Sequence, residues 1–105
     1  MKELNLAALK SQKAVGAEAR YRVGQLQYDN KEYDKAIETA FEVINSEEEN
    51  AYWEAKSFLL LADSYARKGN ALQAKSTLES VIENYEEKDD IIPSAKERLQ
   101  KLNNK

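Results

Sequence analysis

The sequence predicts an all-α solenoid of antiparallel helix pairs, on the basis of composition, hydrophobic periodicity and an internal repeat. Ala, Leu, Glu, Lys, Gln, Arg and Met, which favour helices, make up 61 of the 105 residues, whereas Val, Ile and Thr make up 11. Only three glycines and one proline interrupt the chain. Two stretches align with each other at an offset of 38 residues, and a period of this length is typical of stacked helical units.

Hydrophobic periodicity predicts three helices in the first half of the chain. The first is a short leading helix over 2–10, in which three leucines recur. The second covers 16–28 and the third 33–45, with the polar turn Asp29–Lys31 between them. The third has the clearest amphipathic pattern, because apolar residues recur at i, i+1, i+4, i+7 and i+8 from Ala36.

The fourth helix is predicted over 48–68 and has two possible starts. Residues Ser46–Glu49 fit a capping box, and Asn50 could also cap the helix. Gly69 stands directly after the last basic turn, where a residue in the left-handed conformation commonly ends a helix.

Two further helices complete the chain. Asn70 is expected to cap a fifth helix over 71–85, which the polar stretch 86–90 follows. Ser94–Glu97 forms another capping box directly after Pro93, and it predicts a short last helix that begins there.

The 38-residue offset places small residues over small residues in the two units. Gly24 aligns with Ala62, and Ala36 aligns with Ala74. Because a side chain without bulk lets two helices approach closely, these positions are expected to be contact sites between paired helices. The predicted core consists of Ala19, Val23, Leu26, Ala36, Ile37, Ala40, Val43, Ile44, Leu61, Ala62, Tyr65, Ala74, Leu78, Val81 and Ile82.

The second unit resembles a repeat of the tetratricopeptide repeat family. That family has an aromatic residue, Leu-Gly and Tyr in its first helix and Ala-x3-Phe in its second. The matching residues here are Phe58, Leu61, Ala62, Tyr65, the turn residue Gly69, Ala74 and Leu78. The first unit is degenerate, with Arg20 and Gln27 at two aromatic positions. Both units lack the closing proline, and their period exceeds the usual 34 residues.

The resemblance implies a right-handed solenoid with about two full repeats and a flanking helix at each end. We therefore expect a single domain over 1–105. It would consist of a leading helix and loop over 1–15, a first repeat over 16–45, a second over 46–85, and a loop with a terminal helix over 86–105. One helix pair cannot bury its apolar face alone, so such units are expected to stack.

A narrower resemblance concerns three short segments. Residues 16–21, 31–37 and 51–56 look like the repeats of bacterial envelope proteins, including long repeat proteins of Bacteroidetes-type bacteria. On this resemblance the chain is expected to be a fragment of a longer repeat protein. The bacterial periplasm or envelope is the favoured location, with the cytoplasm as the alternative.

Several function classes are disfavoured by composition. The chain contains no Cys and no His, so the commonest metal ligands and the usual activating base of a serine nucleophile are missing. We expect no enzyme activity, no cofactor and no metal site. A net charge of -3 argues against nucleic-acid binding. The longest strictly apolar run, Phe58–Ala62, is far too short for membrane insertion.

Charge is distributed unevenly between the helices of each unit. Residues 29–54 carry a net charge of -7, and residues 55–75 carry +3. The first helices are therefore the more basic ones, and in the resembled family the first helices line a concave groove. By that geometry the expected groove-lining residues are Glu18, Tyr21, Gln25, Tyr28, Asp29, Lys56, Leu59, Asp63 and Arg67. Such a groove would favour an extended, acidic peptide, although the alternation could also serve only solubility.

Two further observations bear on the ligand. Chaperone-binding members of the family clamp a terminal carboxylate with Lys and Asn, but Tyr21, Gln25 and Leu60 stand at the corresponding positions here. A chaperone C-terminus is therefore not the expected ligand. Of the adjacent pair Tyr52–Trp53, Trp53 is expected to pack under the fourth helix and Tyr52 to cover the connection before it, with an exposed aromatic handle as the alternative.

The function predicted from the sequence is a non-catalytic scaffold that binds a protein or peptide segment on its concave face. Two alternatives stay open: a structural C-terminal cap of a larger array, and a homo-oligomer that forms through the first helix. A binding module would keep Tyr21, Tyr28 and Leu59 exposed, whereas a cap would show a polar final helix and no apolar groove.

Overall fold

The computed structural model describes residues 13–46 and 50–103, and within them the chain is all-α. The five helices are α1 (Lys13–Asp29), α2 (Tyr33–Ile44), α3 (Ala51–Arg67), α4 (Ala71–Asn84) and α5 (Ile91–Asn103). The predicted leading helix over 2–10 lies outside the described residues.

The helices form the predicted solenoid of antiparallel pairs. Helix α2 packs against both α1 and α3, and α4 packs against both α3 and α5. Helices α1, α3 and α5 contact each other in sequence and form a second layer. This layering brings the first helix of each unit, together with the terminal helix, onto one side of the molecule.

The turns within the two units have the same backbone conformation at equivalent positions. Lys31 has a φ of 66° and Gly69 has a φ of 85°, and the two residues are 38 positions apart. In the first turn the amide of Glu32 donates to the carbonyl of Gln27 at 2.8 Å, and in the second the amide of Asn70 donates to Tyr65 at 2.8 Å. The internal repeat therefore extends to the backbone, although glycine supplies the left-handed residue in only one of the two turns.

The fourth predicted helix begins later than residue 48. Its start is Ala51, because Asn50 adopts an extended conformation and its side-chain oxygen accepts a hydrogen bond from the amide of Trp53 at 3.1 Å. The predicted cap at Asn70 is confirmed, since its side chain accepts from the amide of Gln73 at 3.3 Å. Of the two possible starts of α3, the structure therefore contains the asparagine cap.

The last helix begins earlier than the capping box predicted. It starts at Ile91, whose amide donates to Oδ1 of Asp89 at 3.0 Å, and Asp89 also accepts from the Tyr85 hydroxyl at 2.6 Å. Pro93 lies in the first turn of the helix. Backbone amides in this turn have no intrahelical acceptor, so the absence of an N–H group in proline removes no hydrogen bond. Ser94 does not cap the helix; its hydroxyl is hydrogen-bonded to Arg98.

Most of the predicted core residues are buried, but the three that were predicted in α1 are exposed. Eight predicted residues are buried: Ala36, Ala40, Val43, Leu61, Ala62, Ala74, Leu78 and Val81. Ile37, Ile44, Tyr65 and Ile82 are half-buried. Ala19 is exposed, and Val23 and Leu26 are 49% and 63% exposed, because α1 turns the opposite face, which carries Ala17 and Gly24, toward α2 and α3.

The expected close contact at Gly24 is present. A Cβ atom built on Gly24 would lie 2.8 Å from Cδ2 of Leu60 in α3 and 3.2 Å from Cγ2 of Thr39 in α2. In the second unit Ala62 and Ala74 are 1% and 0% exposed and belong to one apolar cluster. Small residues therefore set the spacing of the helices in both units.

We predict that Ala74→Leu lowers the free energy of unfolding by about 1–3 kcal/mol, because the added carbons have no space at this fully buried site. Urea denaturation measures the loss. The matched control is Ala71→Leu, the same substitution at an exposed position of α4, where we expect little change. Equal stability of the two variants would contradict the close packing of α4 on α3.

We predict that Lys31→Gly raises the free energy of unfolding by about 0.5–1 kcal/mol, because the left-handed conformation is strained for lysine and ordinary for glycine. The reciprocal change Gly69→Ala should destabilise the protein by about 1 kcal/mol or more. Thermal melts of both variants test the pair. If Lys31→Gly lowers the free energy of unfolding, the left-handed conformation at residue 31 is not strained for lysine.

Candidate binding groove

A groove runs between the helices of the layer formed by α1, α3 and α5. Its volume is about 430 Å³. The residues that line it are Tyr28 from α1, Asp63, Ala66 and Arg67 from α3, Leu78 from α4, and Glu97, Arg98, Lys101 and Leu102 from α5. Three sequence-predicted site residues, Tyr28, Asp63 and Arg67, therefore meet in one concave site.

An ion pair between α3 and α5 holds one wall of the groove in place. Nε of Arg98 lies 2.9 Å from Oδ1 and 3.1 Å from Oδ2 of Asp63. Both side chains are about one third exposed, so solvent screens the pair only in part. Arg98 also contacts Ser94 one turn earlier, which fixes the direction of its side chain. The Asp63 carboxylate is thus paired within the protein.

Arg67 is a groove cation that has no carboxylate partner among the residues that the structure describes. Its Nε donates to the Tyr28 hydroxyl at 3.1 Å, and its guanidinium carbon lies 6.0 Å from the centre of the Tyr28 ring. The Tyr28 ring in turn packs edge-on against Tyr33 at 5.4 Å. The hydrogen bond to Tyr28 raises the pKa of Arg67. Over residues 13–46 and 50–103, no carboxylate lies within 4.0 Å of this guanidinium.

Lys101 adds a second cation at the edge of the groove. Its Nζ lies 3.9 Å from Oε2 of Glu97, and both side chains are mostly exposed. A contact of this length between exposed groups is weak. Lys101 can therefore turn toward an anion in the groove at little cost.

A strip of polar side chains on α1 leads away from Tyr28. The Tyr21 hydroxyl donates to Oε1 of Gln25 at 3.2 Å, and Nε2 of Gln25 donates to Oδ1 of Asp29 at 3.2 Å. These residues are four apart, so they form one row on the helix. Glu18, one turn before, pairs with Arg22 at 2.6 Å. Burial raises the pKa of Tyr21; the positive charge of Arg98 lowers this pKa, and the negative charge of Asp63 raises it.

Aromatic rings surround Lys56 at the start of α3. The rings of Tyr21 and Trp53 are 5.4 Å apart, and those of Tyr52 and Trp53 are 5.0 Å apart. Nζ of Lys56 lies 5.5 Å from the Tyr21 ring centre and 6.0 Å from that of Tyr52. The Tyr52 hydroxyl donates to Asp90 at 3.4 Å. Tyr52 and Trp53 are both half-buried, so the pair packs between α1, α3 and the loop before α5.

One expected groove residue lies elsewhere. Leu59 is only 3% exposed and packs in the core with Ala62, Leu78 and Ala95, so the prediction that it is an exposed anchor is wrong. The reason is that residues 58–62 are all apolar. A continuous apolar run does not indicate which side of the helix faces α4 and α5 and which side faces α1. Tyr21 and Tyr28 are half-buried rather than exposed.

The groove residues of α5 are not among the residues predicted from the sequence, which indicated this helix only as a flanking element. The available signal was the basic character of residues 91–105, which carry a net charge of +3. In the structure two of these basic residues, Arg98 and Lys101, line the groove together with Asp63 and Arg67. The terminal helix is therefore a wall of the site.

The fold and the groove define an all-α repeat protein with a concave polar surface. Residues 56–87, which cover most of α3 and all of α4, match the family described as tetratricopeptide repeat. The match spans about a third of the chain and supports this family; the narrower resemblance to bacterial envelope repeats finds no support in it. No curated protein and no solved structure matches the chain.

The described residues contain neither a metal-binding cluster nor a membrane-spanning helix. The side chains at 13–46 and 50–103 contain no group of three or more Asp or Glu residues placed to hold a metal ion. Among α1 to α5 there is also no helix with the length and apolar character that a membrane crossing requires.

We predict that Arg98→Gln lowers the free energy of unfolding by about 1 kcal/mol, because it removes the ion pair that joins α5 to α3. A double-mutant cycle with Asp63→Ala should give a coupling energy of similar size. The control is Lys101→Gln, which removes the long, exposed contact and should change stability by less than about 0.3 kcal/mol. Additive single effects in the cycle would show that the pair does not couple the helices.

Proposed function

We propose that the protein is a non-catalytic interaction module that binds a segment of a partner protein in the groove between α1, α3 and α5. The observation that carries this proposal is the Arg67 guanidinium, which Tyr28 holds at the groove without a carboxylate partner among the described residues. An acidic side chain or a terminal carboxylate of the partner would supply the missing charge. Hydrogen bonds to charged groups are among the stronger polar interactions.

The family match supports an interaction role. Tetratricopeptide repeats generally mediate protein–protein interaction. The volume of about 430 Å³ is sufficient for a few side chains of a bound segment, which is the usual size of a small recognition site. The groove combines apolar carbon from Ala66 and Leu102 with the charged ends of Arg67 and Lys101.

The groove chemistry favours binding over catalysis. Of its two carboxylates, Asp63 is held by Arg98 and Glu97 is exposed beside Lys101. The chain has no His or Cys, the side chains that most often act as a general base or a nucleophile.

A structural cap of a larger array is the second candidate, and α5 favours it. Ile91 and Ala95 of this helix are buried against α4, whereas Lys96 and Gln100 are exposed. A terminal helix with a polar outer face covers the apolar core and shields it from water. The cap and the groove use different faces of α5, so both roles are compatible with one structure.

We predict that a blocked hexapeptide of glutamate binds in the groove and that Arg67→Ala weakens this binding about tenfold or more, because a charge-assisted hydrogen bond is lost. Titration of ¹⁵N-labelled protein gives both the affinity and the location, with shifts expected at Tyr28, Arg67 and Lys101. The matched control is Lys35→Ala, which removes an equal charge from the outer helix α2.

A blocked hexapeptide of serine should produce no shifts at the same residues. If the glutamate peptide shifts residues of α2 and α4 instead, the groove is not the binding surface. If Lys35→Ala weakens binding as much as Arg67→Ala, the binding is a general effect of net charge. Peptide binding that is unaffected by Arg67→Ala would remove the basis of the proposal, and the cap would then be the better assignment.

A further inference from the structure

Lys56 of α3 is a second cation on the groove side of the molecule. It lies on the same face of α3 as Asp63 and Arg67, because residues seven and eleven positions further along a helix point within about 20° of the starting direction. Lys56 is half-buried, so water screens its charge less than that of a fully exposed lysine. Within 13–46 and 50–103, no carboxylate oxygen lies within 4.0 Å of its Nζ.

Aromatic rings hold the Lys56 ammonium in place. Its Nζ lies 5.5 Å from the centre of the Tyr21 ring and 6.0 Å from that of the Tyr52 ring. The Trp53 ring packs against both tyrosines, at 5.4 Å and 5.0 Å. The face of an aromatic ring attracts a cation but carries no net charge. The positive charge of Lys56 is therefore oriented by the rings and still available to an anion.

The same arrangement occurs twice along the contact between α1 and α3. At one end Tyr28 of α1 contacts Arg67 through its hydroxyl and its ring. At the other end Tyr21 of α1 contacts Lys56 through its ring. Asp63 stands between the two cations on α3, and its carboxylate is engaged by α5. The groove side of α3 thus presents two tyrosine-held cations that have no carboxylate partner among the described residues.

Helix geometry sets the separation of the two cations. Lys56 and Arg67 are eleven residues apart on one helix, which at 1.5 Å per residue places their Cα atoms about 16 Å apart along the axis. An extended peptide advances about 3.3 Å per residue, so this distance corresponds to about five residues. Because side chains alternate along an extended chain, separations of about four or six residues place two side chains on the same side.

We propose that Lys56 is a second carboxylate-binding position of the groove, so that the partner segment is an extended stretch with two acidic side chains four or six residues apart. This inference rests on the proposed function, in which one acidic group binds Arg67. The occupant is acidic, because the two cations attract carboxylates and repel a basic segment. Two contacts on one segment strengthen each other, since the second forms within a chain that is already bound.

Three blocked heptapeptides of identical composition test the spacing. Each contains two glutamates and five serines, and the glutamates are adjacent, four residues apart or six residues apart, so that the net charge is the same in all three. At least one spaced peptide should bind about tenfold more tightly than the adjacent one, because it reaches both cations. Titrations of ¹⁵N-labelled protein measure the affinities. Equal affinity of all three peptides would overturn the proposal.

Trp53 is the only tryptophan of the chain and reports on the surroundings of Lys56. Its ring packs against the Tyr21 ring, which contacts the Lys56 ammonium. The indole N–H signal should therefore shift with the tighter spaced peptide, together with the amides of Tyr28 and Arg67. Shifts at Tyr28 and Arg67 without a shift of the indole would place the peptide at the Arg67 end alone and contradict the second position.

Lys56→Met tests the charge, because it removes the ammonium and keeps an unbranched side chain among the rings. It should lower the affinity of the spaced peptide about tenfold, to that of the adjacent peptide. Lys56→Arg keeps a positive charge and should retain most of the preference for the spaced peptide. The matched control Lys35→Met removes an equal charge from α2 and should leave the preference unchanged. A loss in either of these two variants as large as that in Lys56→Met would contradict the proposal.

Arg67→Ala separates this inference from the proposed function. If Arg67→Ala weakens the binding of all three peptides and Lys56→Met changes none, the groove binds an acidic group at one position only. The proposed function then stands, and the second position is wrong. If Arg67→Ala weakens none of the three, the proposed function fails, and this inference fails with it.

A second copy of the chain is the competing occupant, since residues 86–90 carry four carboxylates. Light scattering of the protein without peptide tests this occupant. A dimer that dissociates in Lys56→Met would show that a second copy supplies the acidic groups, and it would overturn the assignment to a partner protein. A monomer is the expected result.

Discussion

Close approach between neighbouring helices is the constraint on which the rest of this structure depends. Gly24 allows α1 to lie against both α2 and α3, and a single additional carbon there would meet Leu60 and Thr39. Ala62 and Ala74 allow the same approach between α3 and α4. Because these neighbouring helices approach closely at small residues, the pairs stack in register and the first helices become aligned on one side.

The groove follows from this alignment and from the terminal helix. Alignment of α1 with α3 brings Tyr28 to Arg67, although the two residues are 39 positions apart in the sequence. The third wall requires α5, which the Asp63–Arg98 pair holds against α3. The same pair engages the Asp63 carboxylate with Arg98, so that among the described residues the guanidinium of Arg67 has no carboxylate within 4.0 Å. Binding chemistry and helix packing are thus linked through one ion pair.

The two units show how one sequence pattern leads to different surfaces. Val23 and Leu61 occupy equivalent positions, and their exposures of 49% and 3% reflect only the presence of a covering helix. Lys31 and Gly69 occupy equivalent turns with the same left-handed backbone, although only glycine adopts it without strain. The backbone conformation is therefore repeated more closely than the side chains. The spacing of the helices constrains the backbone, whereas the neighbours of each side chain determine which residue fits there.

The sequence by itself determined the helices, their pairing and the small contact residues, because helix propensity, capping by Asn70 and the 38-residue repeat are local or periodic signals. It also identified Tyr28, Asp63 and Arg67 as residues of the first-helix layer. Only the tertiary structure decided the burial of Leu59 and the role of α5 in the groove. The physical reason is that an apolar run such as 58–62 permits several orientations, and packing against α4 and α5 selects one of them.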